Sequence, residues 1–170
     1  MQRSISQLND LELTDFVRLI GRVFERSPWI AEAAWPNRPF AGRAALHQAL
    51  CRVVLEAGGE KQLALILAHP DLAGRAALAG TLGPESTIEQ AKAGLDRLTP
   101  REIEKFRRNN AAYREKFGFP FVICARQNRI EAILAGFKSR IGNSREHEIQ
   151  TALEEIFKIA ELRLADLIHE

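Results

Sequence analysis

The last stretch of the chain, Ser144 to His169, is long and periodic, and it commits the whole sequence to helical packing. At 100° per residue from Ile149, the side chains of Ile156, Leu167, Ala160, Leu153 and Leu164 fall within a sector of about 80°. An apolar stripe of that kind is stable only when buried against other elements. Similar patterns recur upstream. Leu13–Phe24 is periodic, and Arg43–Ala57 forms a second helix stopped by Gly58-Gly59. Glu60–Ala68 follows, ended by Pro70, which disfavours α geometry at His69. Asp71 is placed to cap a short helix reaching about Ala79. Further helices are predicted over Thr87–Leu98, over Pro100–Phe117 with Thr99 as cap, and over Arg129–Lys138.

Two segments interrupt the pattern. "SPWIAEAAWPNRPF", Ser27 to Phe40, carries prolines and tryptophans and is expected to be a packed irregular connection. "FPFVICA" is short, apolar and β-rich, so Phe121 to Ile133 has room for two short strands instead of part of a helix. No internal repeat, low-complexity tract or domain boundary is visible. The expectation is an all-α, single-domain multi-helix bundle of about eight helices over residues 1–170.

Charge excludes some functions. The net charge is +2 with His neutral, and basic residues are interleaved with acidic ones, as in Arg101-Glu102 and Arg114-Glu115-Lys116. A nucleic-acid-binding stripe is therefore not expected. Cys51 and Cys124 lie far apart in apolar surroundings, which predicts two reduced, buried thiols and neither a disulfide framework nor a metal site. The opening "MQRSISQLND" lacks the apolar core of a signal peptide, and no apolar run approaches the roughly 20 residues of a membrane span. A cytoplasmic protein without membrane contact is the expectation.

A few residues break their own local pattern. Arg163 falls on the edge of the apolar sector of the last helix, where a guanidinium that cannot lose its charge needs an anion or carbonyl oxygens. It is either a structural ion pair or an anchor for a carboxylate ligand. His69 closes an apolar helix. It can serve as a helix-end cation or as a proton shuttle with a reference pKa of about 6.5. Asp71 is available to orient it. Ser86 and Glu89 fit the capping-box spacing, and the stripe Ile88, Ala91, Leu95, Leu98 omits Glu89. Around Gly118 and Pro120, "KFGFPFVICA" is either simple core or a kinked segment whose unpaired N–H groups face a carbonyl-rich ligand. His47, His147 and His169 stand at no spacing that makes His69 a metal ligand.

Five segments carry a resemblance that covers nearly the whole chain: "SPWIAEAAWPNRPF", "AHPDLAGRAA", "STIEQAKAGLDRLT", "NAAYREKFGFPFVICA" and "NSREHEIQTALEEIFKIAELRLADL". In type and order they resemble the 2-oxo-4-hydroxy-4-carboxy-5-ureidoimidazoline (OHCU) decarboxylases, enzymes of urate breakdown. Arg75, in place of an expected lysine, and Asn109, in place of an apolar residue, are small departures away from the presumed site.

The resemblance implies an all-helical enzyme that uses no cofactor and no metal and is usually a homodimer. It places the catalytic histidine on His69 and the catalytic glutamate on Glu89. Ser86, Gln90, Arg163 and Pro70, with the segment holding Phe119, Phe121 and Ile123, fall on its substrate-binding positions. The implied substrate is a ureidoimidazoline carboxylate, supplied by uricase and hydroxyisourate hydrolase. Its carboxylate lies next to a ring C=N that accepts the electrons left by CO₂, so no bound electron sink is required. Two competing classes are a non-catalytic helical interaction module and a lyase or hydrolase for another ureido acid. The first would tolerate loss of His69; the second would keep a His69-dependent site but ignore this substrate.

Overall fold

The structure, a computed structural model, describes residues 2–169 and contains ten α-helices. Backbone contacts divide it into two units, residues 2–68 with 157–169, and residues 69–156.

The first unit opens with β1 (Arg3–Ser4) and α1 (Ile5–Asn9). Ser4 caps α1 through a full capping box with Gln7, a Ser-x-x-Gln signature that lies before the first long periodic stretch. α2 (Leu13–Ile20) is shorter than the expected Leu13–Phe24. Its stripe continues as buried Val23 and Phe24 in a turn beyond the helix.

The Ser27–Phe40 stretch is not irregular throughout. It holds α3 (Trp29–Ala34) and a 3₁₀ turn (Trp35–Asn37). Pro28 stands just before the first helical position, where a missing N–H costs nothing, and "WIAEAA" supplies good helix formers that bury Ile30, Ala31 and Ala34. α4 (Arg43–Glu56) and α5 (Gly59–Leu67) match the sequence reading to within a residue or two. Cys51, on α4, is only half-buried and sits 3.4 Å from His47 Nε2. Burial and the negative charge of Glu161 push its thiol up to about 12, which keeps it protonated near neutrality.

The second unit contains α6 (Arg75–Leu78), α7 (Pro84–Lys92), α8 (Pro100–Phe117), a 3₁₀ turn (Ala125–Gln127) and α9 (Ile130–Arg140). The helix read over Arg129–Lys138 forms as α9, and the alternative of two strands in Phe121–Ile133 does not. Residues 120–124 have no regular structure and pair with no strand, the 3₁₀ turn follows, and α9 begins at Ile130. The only strand pairing among the described residues joins β1 in parallel to β2 (Ile168–His169), too short to leave a period-two signal.

The longest helix, α10 (Arg145–Leu167), contributes residues to both units. Ser144 caps it, its hydroxyl accepting from His147 N at 3.2 Å. Ala152, Leu153, Ile156, Ile159, Ala160 and Leu164 form its buried stripe. Among the described residues no helix is long and apolar enough to cross a membrane.

Thr99 caps α8 with Glu102 in a reciprocal box, and the Thr99 N–H bond holds the Glu102 carboxyl below its usual range. Thr99→Ala is expected to cost about 0.5–2 kcal/mol in urea denaturation while leaving the rest of the fold intact.

Candidate active site

Pro70 ends the helical run and sends the chain into a loop over residues 71–74. His69, immediately before it, is 7 % exposed. Ala73 adopts a φ of +48°, a left-handed conformation that a residue with a Cβ enters only under tertiary constraint. Gly74 follows because a Cβ there would come within 2.6 Å of the Asp71 Cβ.

The loop is held from two helices. From α7, Gln90 Oε1 accepts from Ala73 N at 3.0 Å and its Nε2 donates to Asp71 O at 3.4 Å. From α8, Asn110 Nδ2 donates to Leu72 O at 2.9 Å, and Arg114 Nε reaches both Asp71 carboxylate oxygens at 2.9 and 3.2 Å. Asp71 therefore does not cap the next helix, as its sequence position suggested; Gly74 stands at that cap, and the Asp71 carboxylate is bound by Arg114. The roles of Asn110 and Arg114 carry no sequence signal, since both read as ordinary polar positions of an amphipathic helix.

α7 overturns the capping-box reading of Ser86. The helix starts at Pro84 with Gly83 as N-cap, and Thr87 N already bonds Gly83 O at 2.9 Å. Ser86 is thus inside the helix, which also ends earlier than expected, before Gly94 at φ +81°. Burial on this helix also runs opposite to the predicted stripe. Ser86, Glu89 and Gln90 are 5, 8 and 5 % exposed, whereas Ile88 is 54 % exposed. Positions i, i+3 and i+4 share a helix face, so three polar side chains point inward together and an isoleucine points out. A carboxylate and an amide are buried only where partners or a ligand meet them. Gln90 brings this face of α7 against the loop that follows His69 and Pro70.

Phe119 to Cys124 supplies a third wall. Gly118 ends α8 in the left-handed region at φ +79°, which releases the chain from the helix. Phe119 and Phe121 are buried in a ring cluster, with Phe121 stacked on Phe137 at 3.9 Å between centroids and Tyr113 edge-on to Phe121 at 5.3 Å. Side chains held in this way leave the backbone as the polar surface. Among the described residues, no hydrogen bond reaches the N–H or C=O of Phe119, Phe121 or Ile123. The segment runs into the 3₁₀ turn at Ala125–Gln127, against which α7 packs. His69, Ser86, Glu89, Gln90 and residues 119–123 thus belong to the second unit, linked by the Gln90 bonds and by that packing.

Arg163 belongs to the first unit. It is 4 % exposed; Nη1 and Nη2 each lie 3.3 Å from Glu25 Oε2, and Nη1 donates to Val23 O at 3.2 Å. Its charge is met by an acid and a carbonyl, as its place on the stripe required. Among the described residues, no three His, Cys, Asp or Glu side chains gather as a metal site.

The family model described as OHCU decarboxylase matches residues 9–165. A 2-oxo-4-hydroxy-4-carboxy-5-ureidoimidazoline decarboxylase from Haloferax volcanii is 43 % identical over 163 residues, covering 96 % of this chain and 95 % of that one. Its namesake from Halalkalicoccus jeotgali is 42 % identical over 164 residues, covering 96 % and 91 %. A solved structure described as (S)-allantoin synthase superposes with a TM-score of 0.78 at 26 % identity, over 98 % of this chain and 54 % of that longer one.

Proposed function

The chain belongs to the OHCU decarboxylase family, and from that premise we propose that it converts 2-oxo-4-hydroxy-4-carboxy-5-ureidoimidazoline to (S)-allantoin and CO₂ in urate degradation. The inward polar face of α7, with Ser86, Glu89 and Gln90 buried and Ile88 exposed, carries this reading. A helix that existed only to pack would bury Ile88 and leave Glu89 in water.

In the proposed mechanism, His69 and Glu89 act as a proton-transfer pair. They take up the proton of the ring hydroxyl as the carbon–carbon bond to the carboxylate breaks. CO₂ leaves, and its electrons pass into the adjacent ring C=N. Ser86 and Gln90, with the unbonded backbone groups at Phe119, Phe121 and Ile123, hold the ureido and ring amides, and Pro70 packs against the ring. Arg163 grips an anionic oxygen of the substrate. Fixed donors on one side of the ring direct the final proton to one face, which gives a single-handed product.

We further propose that residues 1–170 work as one domain, since the family match runs through both units. The protein acts as a cytoplasmic homodimer without a cofactor; light scattering tests the oligomeric state.

The deciding experiment generates the unstable substrate from urate with uricase and hydroxyisourate hydrolase, adds the protein, and follows circular dichroism. Rapid appearance of a lasting signal of one hand is the expected result. Slow decay to optically inactive allantoin, at the rate without protein, would overturn the proposal. In the same assay Arg163→Lys is expected to lose about tenfold in kcat/KM, because an ammonium cannot reproduce a two-pronged guanidinium contact worth roughly 1.5–3 kcal/mol. Unchanged kinetics would remove bidentate recognition from the scheme.

A further inference from the structure

A buried ion pair lies against the Phe119–Cys124 segment. The Arg140 side chain, at the end of α9, is 11 % exposed and that of Glu148, on α10, is 0 % exposed. Arg140 Nε donates to Glu148 Oε2 at 2.9 Å, and Nη1 donates to Val122 O at 2.7 Å. The guanidinium carbon also lies 4.3 Å from the centre of the Phe121 ring. Glu148 is held in turn by the Tyr113 hydroxyl and by Asn143 Nδ2 at 2.9 Å. Burial, reinforced by the bond to Glu148, pushes the Tyr113 hydroxyl above its ordinary range, so it stays a donor.

Stability alone gives little reason for such a pair, since well-packed apolar residues in its place are often neutral or better. What the pair does is visible in which backbone groups are bonded. Val122 O is taken by Arg140, and Cys124 N donates to Glu155 Oε2 at 2.8 Å. Phe119, Phe121 and Ile123 are left without partners among the described residues. The backbone at Val122 and Cys124 is therefore fastened to the protein, and that at Phe119, Phe121 and Ile123 is not.

We propose that Arg140, fixed by Glu148, is a positioning residue: by holding the Val122 carbonyl and the Phe121 ring, it presents the unbonded backbone groups of Phe119, Phe121 and Ile123 to the amide groups of the substrate. This rests on the decarboxylase reading above. The guanidinium suits the task because its plane covers a ring while its fork binds in two directions.

The test is the double variant Arg140→Met/Glu148→Leu, assayed with the in situ substrate beside thermal unfolding. Removing both charges together avoids leaving one buried and alone; because the Tyr113 hydroxyl and Asn143 lose their acceptor, the melting temperature is expected to fall while the chain stays folded. KM is expected to rise about tenfold with a much smaller change in kcat, because the backbone contacts serve bound substrate and transition state alike. A folded double variant with KM within twofold of the parent would overturn the proposal. If the double variant does not fold, Arg140→Lys decides. One ammonium keeps the charge beside Glu148 but cannot also hold Val122 O and cover Phe121, so KM should rise, and an unchanged KM sinks the idea. An inactive parent chain would instead remove the decarboxylase reading, and this proposal with it.

Discussion

Replacing His69 with asparagine is expected to abolish the single-handed dichroic signal, with turnover falling by about 10² to 10⁴, the usual worth of a positioned acid–base group. Asparagine keeps a polar side chain of similar reach but cannot carry a proton near neutrality. The helical dichroism should be unchanged, because the backbone at this point is held by others. Pro70 follows directly, Gln90 and Asn110 bind the loop at Ala73 and Leu72, and Arg114 holds Asp71. Loss of activity in a folded variant therefore reports the imidazole and not a collapsed loop. Activity within a few-fold of the parent would take His69 out of the mechanism.

Glu89→Gln is expected to separate chemistry from stability as sharply. Had Glu89 belonged to a capping box, the substitution would weaken the start of its helix and spare catalysis. Gly83 is the N-cap of α7 and Glu89 sits well inside it at 8 % exposure, so no cap is lost. The amide is isosteric and can still hydrogen-bond within the helix's inward face, so the helical dichroism should be unchanged. Turnover should fall by at least about a hundredfold, since a glutamine neither accepts a proton nor supports a protonated imidazole. A variant that is less stable but fully active would return Glu89 to a structural role.

The helices were legible wherever a long apolar period met a strong stop, as at Gly58-Gly59 or at Thr99-Pro100, where cap and first-turn proline coincide. α7 was displaced because two start signals compete there. Ser86-x-x-Glu89 is a capping pattern, but Gly83-Pro84 begins the helix three residues earlier, and a fixed proline φ leaves Ser86 inside the first turn. The inward polar face has a separate cause: spacing puts Ser86, Glu89 and Gln90 on one side, but only tertiary packing decides that this side, and not that of Ile88, is buried. α1 and α3 are too short to show a period.

His69 and Arg163 stood out because each interrupts an apolar pattern. Glu89, Ser86 and Gln90 were reached through family resemblance, not through spacing. Arg140 and Glu148 gave no signal at all. A basic residue in a last turn and an acidic one in a first turn read as ordinary partners of the helix dipole, and only tertiary packing shows them to be buried.

The parallel pairing of Arg3–Ser4 with Ile168–His169 has a consequence for synthesis. Residues 69–156 form a contiguous unit, complete in sequence before residue 157 is added. Residues 2–68 must wait for residues 157–169 until all of residues 69–156 have been translated. Within this stretch, folding on the ribosome therefore runs against the common N-terminal-first order: residues 69–156 can mature first, while residues 2–68 remain without their final partner.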